Sequence, residues 1–431
     1  MPDSPVVAPV RTRAVGTVVH LALGLGLVGV AGYGFIAIVG RVFAGAADAA
    51  ILGALTSVYL LINVLGPGAF AAVEQETSRA VSAARAAGVS ALPPARRAGL
   101  LTAGLFVGVA VLAVVMWPVF LGQVLDYRLG LLGAVLLAAA GFALMYWVRG
   151  VLSGQQRLGA YGASLYLEGL ARLAPCLLLL VAAVRSPDAY AVAFAAGSVL
   201  AGLLLLPGLG LRDGRADGPA PRAMGTSLAM LVAAGLCMQL VANLAPVIVT
   251  FRLPGDLVGA AVFGLTFVLA RIPLFLFSPV QALLVPALTR AVTTGRTDQA
   301  RRLLGRTLAG VLVVGGVGCV VAATVGPWAV TVLFNAAQRP APLTLGLLGL
   351  ATVAMMVALT LQSALVAVGR QSVVTLAWAA GTAVFVGLLF LPGHPIDAAL
   401  TAQLAGPTTT VVCAAVGLRR ALRGRSIPTP P

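Results

Sequence analysis

The amino-acid sequence predicts an all-α integral membrane protein, with twelve transmembrane helices in two six-helix bundles related by a pseudo-two-fold axis along the membrane normal. Three observations predict it: a lipid-soluble composition, twelve apolar runs of membrane-spanning length, and an internal repeat with a shift of 211 residues. Of 431 residues, 60% are hydrophobic and only 9% charged, and the mean hydropathy is +1.04. A soluble domain devotes about a quarter of its residues to charge, so a charged shell for a water-soluble core is missing.

The 28 basic residues are all arginine and set a net charge of +16. Nucleic-acid binding would need them gathered on one soluble face; instead they punctuate apolar runs. Cys176, Cys237, Cys319 and Cys413 each sit inside such a run, with no C-x-x-C and no clustered histidines. Neither a metal site nor a cofactor is expected.

A hydrocarbon layer about 30 Å thick takes roughly 20 helical residues to cross. Suitable runs lie near 15–40, 48–72, 98–121, 129–150, 159–183, 189–211, 223–250, 257–288, 306–333, 342–367, 371–391 and 396–418. Arginine placement orients them. The two termini and alternate connections together collect 21 arginines, Arg149 among them, against five on the opposite side: Arg41, Arg128, Arg185, Arg252 and Arg339. Both termini are therefore expected in the cytoplasm, in the bacterial cytoplasmic membrane.

At a shift of 211 residues, ETSRAVSAAR (76–85) falls on ALTRAVTTGR (287–296), Arg79 on Arg290, and Gly53 on Gly264. This sets the second span on the eighth. Six spans intervene, an even number, so the copies point the same way. The expected organisation is a bundle at 1–211, a cytoplasmic linker at 212–222 rich in Asp, Gly and Pro, a second bundle at 223–418 and a basic, Pro-rich tail at 419–431. Two such bundles can rock about a central cleft.

EQETSRA (74–80) after an apolar span, NLAPVIV (243–249) and RIPLFLFSPVQALLVPALTR (271–290) resemble the polysaccharide-transport branch, the Wzx-type lipid-linked oligosaccharide flippases, of the multidrug/oligosaccharidyl-lipid/polysaccharide (MOP) superfamily, particularly its actinobacterial members. The resemblance covers nearly the whole chain. It implies the two-bundle plan and movement of undecaprenyl-pyrophosphate-linked sugars, or related lipid-linked glycans, across the membrane.

Glu168, Arg172 and Arg271 fall far from either end of their spans. A charge at the bilayer centre costs about 2.5–3.5 kcal/mol on the lenient insertion scale, so such residues face protein or a water-filled cavity. Tyr161, Ser164, Glu168 and Arg172 recur at three- and four-residue steps on one helix face. Glu168 is either locked in an intrahelical pair with Arg172 or an ion-coupling carboxylate answering Na+ or H+. Arg271 lacks a nearby acid on its own helix; it either pairs with Glu168 on another helix or offers its guanidinium fork to phosphate. Ser278 shares its face. Asn63 on span two, with Gln239 and Asn243 on span seven, completes the candidate substrate site. Glu74, Glu76, Arg79 and Arg290, at the cytoplasmic ends of the repeated spans, are candidates for a cytoplasmic gate, or else solvated helical extensions with helix-spaced ion pairs. The glycine-rich stretch 24–34 suits either close packing or bending.

These residues favour a flippase for an anionic lipid-linked oligosaccharide, driven by an ion gradient because no G-x-x-x-x-G-K-[ST] loop is present. The alternatives are a cation-coupled multidrug exporter on the same scaffold, and a membrane glycosyltransferase or ligase of the same pathway. The last would need a catalytic base and a long external loop; the outward connections are short and carry the scattered Asp126, Asp188, Asp256 and Asp397, so no catalytic cluster emerges and no enzymatic activity is expected. The expected partners are membrane lipid, the glycan substrate and a coupling ion.

Overall fold

The computed structural model describes residues 10–211, 224–294 and 296–423; the proposed linker at 212–222 and the end of the tail lie outside them. Among the described residues there are no strands and twelve helices long and apolar enough to cross a membrane. They are α1 (Val10–Val42), α2 (Ala49–Leu65 and Ala71–Ala86, joined by a π-helical turn Gly66–Phe70), α3 (Leu92–Met116, a π turn Trp117–Leu121, then Gly122–Val124), α4 (Leu129–Gly154), α5 (Leu158–Val181) and α6 (Pro187–Leu205) in the first half. The second half has α7 (Met224–Arg252), α8 (Leu257–Ala270 and Ile272–Thr293), α9 (Thr297–Thr324 and Gly326–Phe334), α10 (Pro342–Ala367), α11 (Gln371–Leu389) and α12 (Pro395–Arg423).

Proline explains where the helices break. A proline has no N–H to give the carbonyl four residues back. Pro67 therefore frees the carbonyl of Asn63 and opens the π turn of α2. Pro273 acts similarly in α8: the N–H of Leu274 turns to the carbonyl of Arg271 instead of Ala270, and the helix interrupts at Arg271. The apolar run at 257–288 reads as one span, and for this reason it is built as two segments. The third helix of each half repeats the device, with Pro118 in α3 and Pro327 in α9 at the breaks.

Within the first half α1 lies on α5, α4 on α6, and the second segment of α2 on α4; in the second half α9 lies on α10, α11 on α12, and α10 on α12. The small side chains of α1 serve close packing: Gly24 and Gly34 let it settle against Leu165 and Leu173 of α5. α3 and α9 carry outward apolar faces, with Val111, Leu112, Val313, Val314 and Val317 exposed as a lipid-facing surface requires.

The halves meet chiefly where α2 packs on α7 and on the first segment of α8. Gly235 of α7 approaches the carbonyl of Gly68 so closely that a β-carbon there would stand 2.6 Å from it, the small-residue contact typical of membrane helices. Farther from the chain termini, Gln123 donates to the carbonyl of Phe251 at 3.2 Å and the rings of Phe120 and Phe251 lie 5.0 Å apart. The halves are thus joined on the far side, and a cavity opens between them at mid-depth.

Candidate substrate cavity

The cavity has a volume of about 390 Å³ and is lined from both halves. α1 and α2 contribute Tyr33, Tyr59 and Asn63; α4 and α5 contribute Arg149, Glu168 and Arg172; α7 and α8 contribute Gln239, Asn243 and Arg271. Three arginines face one glutamate, so the charged lining side chains sum to +2.

In the first half, charge is answered by charge. Glu168 receives Arg149 at 2.7 Å on one carboxylate oxygen and Arg172 at 3.2 Å on the other. Ser198 of α6 accepts from Arg172 at 2.7 Å and donates to Glu168 at 3.1 Å, and Ser164 accepts from Arg149 at 2.9 Å. All five side chains are buried. Arg172 also lies over the rings of Phe142 and Phe194, at 4.7 and 5.0 Å from their centres, a stacked setting that suits a guanidinium.

Arg149 corrects the arginine tally. The apolar run fades near 150, which assigns this residue to a cytoplasmic connection, but α4 continues to Gly154 and holds it a full turn inside the helix, 5% exposed. The short turn at 155–157 brings α5 back beside α4, so Arg149 comes opposite Ser164, nearly equidistant from the turn, and its guanidinium also reaches Glu168 one helical turn farther along α5. The intrahelical pairing of Glu168 with Arg172 is present, but only as one arm of a triad.

In the second half the buried charge has neutral partners. Arg271 sits at the helix interruption, donates to Oε1 of Gln403 at 2.5 Å and to the hydroxyl of Thr352 at 3.4 Å, and lies 4.6 Å from the ring centre of Phe267. Each partner is itself fixed. Gln403 donates its other end to the carbonyl of Val241 at 2.9 Å, and Thr352 reaches the carbonyl of Ala270, left open by the break, at 3.0 Å. The alternative expectation of an Arg271–Glu168 pair fails, because Glu168 is already engaged by two arginines nearer to hand. Gln403 and Thr352 escape a reading of the sequence, where they are ordinary polar interruptions of α12 and α10.

Asn63, Gln239 and Asn243 form the seam between the halves. Gln239 donates at 3.2 Å to the Asn63 carbonyl that Pro67 leaves without an N–H. Asn63 donates to Tyr59 and Asn243 to Gln239, each one turn back along its own helix. Ser278 lies on α8 with its side chain outside the described set.

The four residues expected to form a gate are not gathered in one place. Glu76 and Arg79 pair with each other at 2.6 Å across one helical turn. Glu74 turns inward and accepts from the phenol of Tyr161 on α5 at 2.8 Å. Arg290 lines a separate cavity with Arg302 and Arg306.

No family model and no curated protein matches this sequence. Solved structures do. An inward-facing multidrug resistance MATE family transporter of the MOP superfamily superposes with a TM-score of 0.69 at 13% identity, over 94% of this chain and 96% of the other. A MOP superfamily transporter from Pyrococcus furiosus gives 0.67 at 15% identity, over 95% of each chain. A mutant form of the Vibrio cholerae MATE transporter VcmN gives 0.65 at 17% identity, over 96% of this chain and 99% of the other. This chain has the MOP transporter fold. At these identities the likeness speaks of the fold, two six-helix halves, and not of the cargo.

Proposed function

We propose that the chain is an alternating-access transporter of the bacterial cytoplasmic membrane, with both termini cytoplasmic, and that it flips an anionic lipid-linked oligosaccharide, a polyprenyl-pyrophosphate glycan, to the outer leaflet. The observation that carries this is the net positive cavity between the halves, with Arg271 as its one charge lacking an acidic partner among the described residues. A pyrophosphate drawn into a water-poor cleft needs such counter-charge, and guanidinium forks match its oxygens. Arg172 across the cavity adds its positive charge, its Nε and Nη2 being held by Ser198 and Glu168, and Asn63, Gln239 and Asn243 offer polar contacts to the sugar side. The Pyrococcus furiosus neighbour is described as a MOP transporter whose binding pocket has reverse polarity, suggesting a different function; a basic cavity here is in keeping with departure from cation export on a shared fold.

Ion coupling fits Glu74 better than Glu168. The sequence holds three glutamates. Glu168 is held by two arginines and Glu76 by Arg79. Glu74 accepts from a phenol, its one hydrogen-bond partner among the described residues and a neutral one, which keeps its hydrogen bond whichever protonation state the carboxyl adopts. Proton binding there sits beside the triad without breaking it.

The rival, cation-coupled multidrug export, shares the fold of the MATE neighbours. Proteoliposomes carrying a fluorescent polyprenyl-pyrophosphate disaccharide decide between them. Exposure of the sugar to a membrane-impermeant lectin, without efflux of ethidium, is expected. Ethidium efflux with the glycan left in place would replace this proposal with the rival.

A further inference from the structure

The repeat is broken in one chemically informative place. At the 211-residue shift Arg290 stands where Arg79 does, but Ala287 replaces Glu76. In the first half the acid and the arginine close on each other at 2.6 Å. In the second half Ala287 stands at that place, Arg290 has contacts of its own, and a cavity of about 500 Å³ stands between α8 and α9, lined by Ala287, Arg290, Gln299, Arg302, Leu303 and Arg306.

The first half holds a separate, smaller basic cavity, about 340 Å³, in which Arg85 donates to the carbonyl of Gln155 and Arg157 to that of Gly208. In the second half Arg302 donates its Nε to the carbonyl of Asp298 at 3.3 Å, leaving the other nitrogens of its fork to the cavity, and Arg306 pairs with no described acid. Arg302 and Arg306 are four residues apart on one helix, an arrangement that is unfavourable between like charges unless an anion joins them.

We propose that this cavity binds the phosphodiester headgroup of an anionic membrane lipid. Its depth selects a lipid. At 1.5 Å per residue Arg306 lies about 14 Å along α9 from Thr297, and the lipid-facing stretch with exposed Leu312, Val313 and Val314 begins two turns later. The arginines therefore sit at headgroup level on a helix whose next turns are bathed in acyl chains. Basic pockets between transmembrane helices at this level are suited to such headgroups. The site is built by residues apart from the central cavity, so it stands or falls independently of the cargo.

The test uses the purified full chain in detergent, with native mass spectrometry and thermal unfolding as readouts and cardiolipin, phosphatidylglycerol, phosphatidylcholine and inorganic phosphate as probes. Cardiolipin and phosphatidylglycerol are expected to bind and to raise the unfolding temperature. The double variant R302Q/R306Q is expected to bind them at least about tenfold more weakly, while R302K/R306K, which keeps the charge, retains most of the affinity. R85Q/R157Q, altering the first-half cavity, is expected to bind as the parent does. Equal binding of phosphatidylcholine, undiminished binding by R302Q/R306Q, or displacement of the lipid by millimolar inorganic phosphate would overturn the proposal, the last by showing a site for soluble anions.

Discussion

The two halves share a plan and handle buried charge in opposite ways. In the first, Arg149 and Arg172 are clasped by Glu168 and two serines, so that the cluster is a closed electrostatic unit with one surplus positive charge. In the second, Arg271 is held, among the described residues, by an amide, a hydroxyl and an aromatic face. Neutral partners orient a guanidinium without cancelling its field. The lesson is a division of labour: one half contributes a braced wall, the other a buried guanidinium with neutral partners lining the same cavity.

The comparison is broken most severely at its centre. Glu168→Gln leaves Arg149 and Arg172 buried side by side without their shared acid, and loss of one member of a buried ion pair typically costs about 3–5 kcal/mol. A large fall in unfolding temperature is expected, and Arg149→Gln added to Glu168→Gln should recover part of it. A thermal-shift series over the single and double variants measures both effects.

Gly235→Ala attacks the seam. Its β-carbon meets the Gly68 carbonyl at 2.6 Å, and overpacking of this kind costs about 1–3 kcal/mol. Because the strain falls between the halves, not within one, crosslinking of cysteine pairs across α2 and α7 should slow or stop while each half stays folded.

Gln403→Ala sharpens the contrast. It removes a hydrogen bond to a charged group, worth about 1.5–3 kcal/mol, from the side chain that fixes Arg271. Weaker binding of a polyprenyl-diphosphate analogue is expected with little change in the first-half triad, and isothermal titration reads it. The smallest structural effect belongs to Glu74→Gln, which keeps the bond to Tyr161. Unfolding is expected to stay close to that of the parent, whereas the dependence of glycan flipping on an imposed proton gradient is expected to disappear.

Much of this architecture is legible from residue order. Twelve spans follow from run length, and the parallel relation of the halves follows from ETSRAVSAAR and ALTRAVTTGR, because helices of one length in one solvent leave little freedom. Glu168, Arg172 and Arg271 stand out as charges no lipid-facing position tolerates. What escapes depends on register between helices. Arg149 lies where the apolar run fades, and only the tight turn at 155–157 and four more residues of α4 carry it inside to Glu168. The inward aim of Glu74 depends on Tyr161, 87 residues away. Gln403 is 132 residues from the arginine it orients, and no local pattern distinguishes it from the threonines around it. The break at Arg271 is foreshadowed by Pro273, yet its consequence, a guanidinium at a helix interruption held by Thr352, needs the neighbouring helix.

The most direct measurement compares Arg271→Gln with the parent chain for binding of a polyprenyl-diphosphate analogue and for thermal unfolding, side by side. Removing a buried charge that has no acidic partner should leave the unfolding temperature unchanged or higher, while affinity for the diphosphate falls by at least about tenfold, the 1.4 kcal/mol of a single charge-assisted contact. Unchanged affinity, or a collapse in stability as large as that of Glu168→Gln, would mean that Arg271 serves the packing of the second half and that the cavity's charge is not there for an anion.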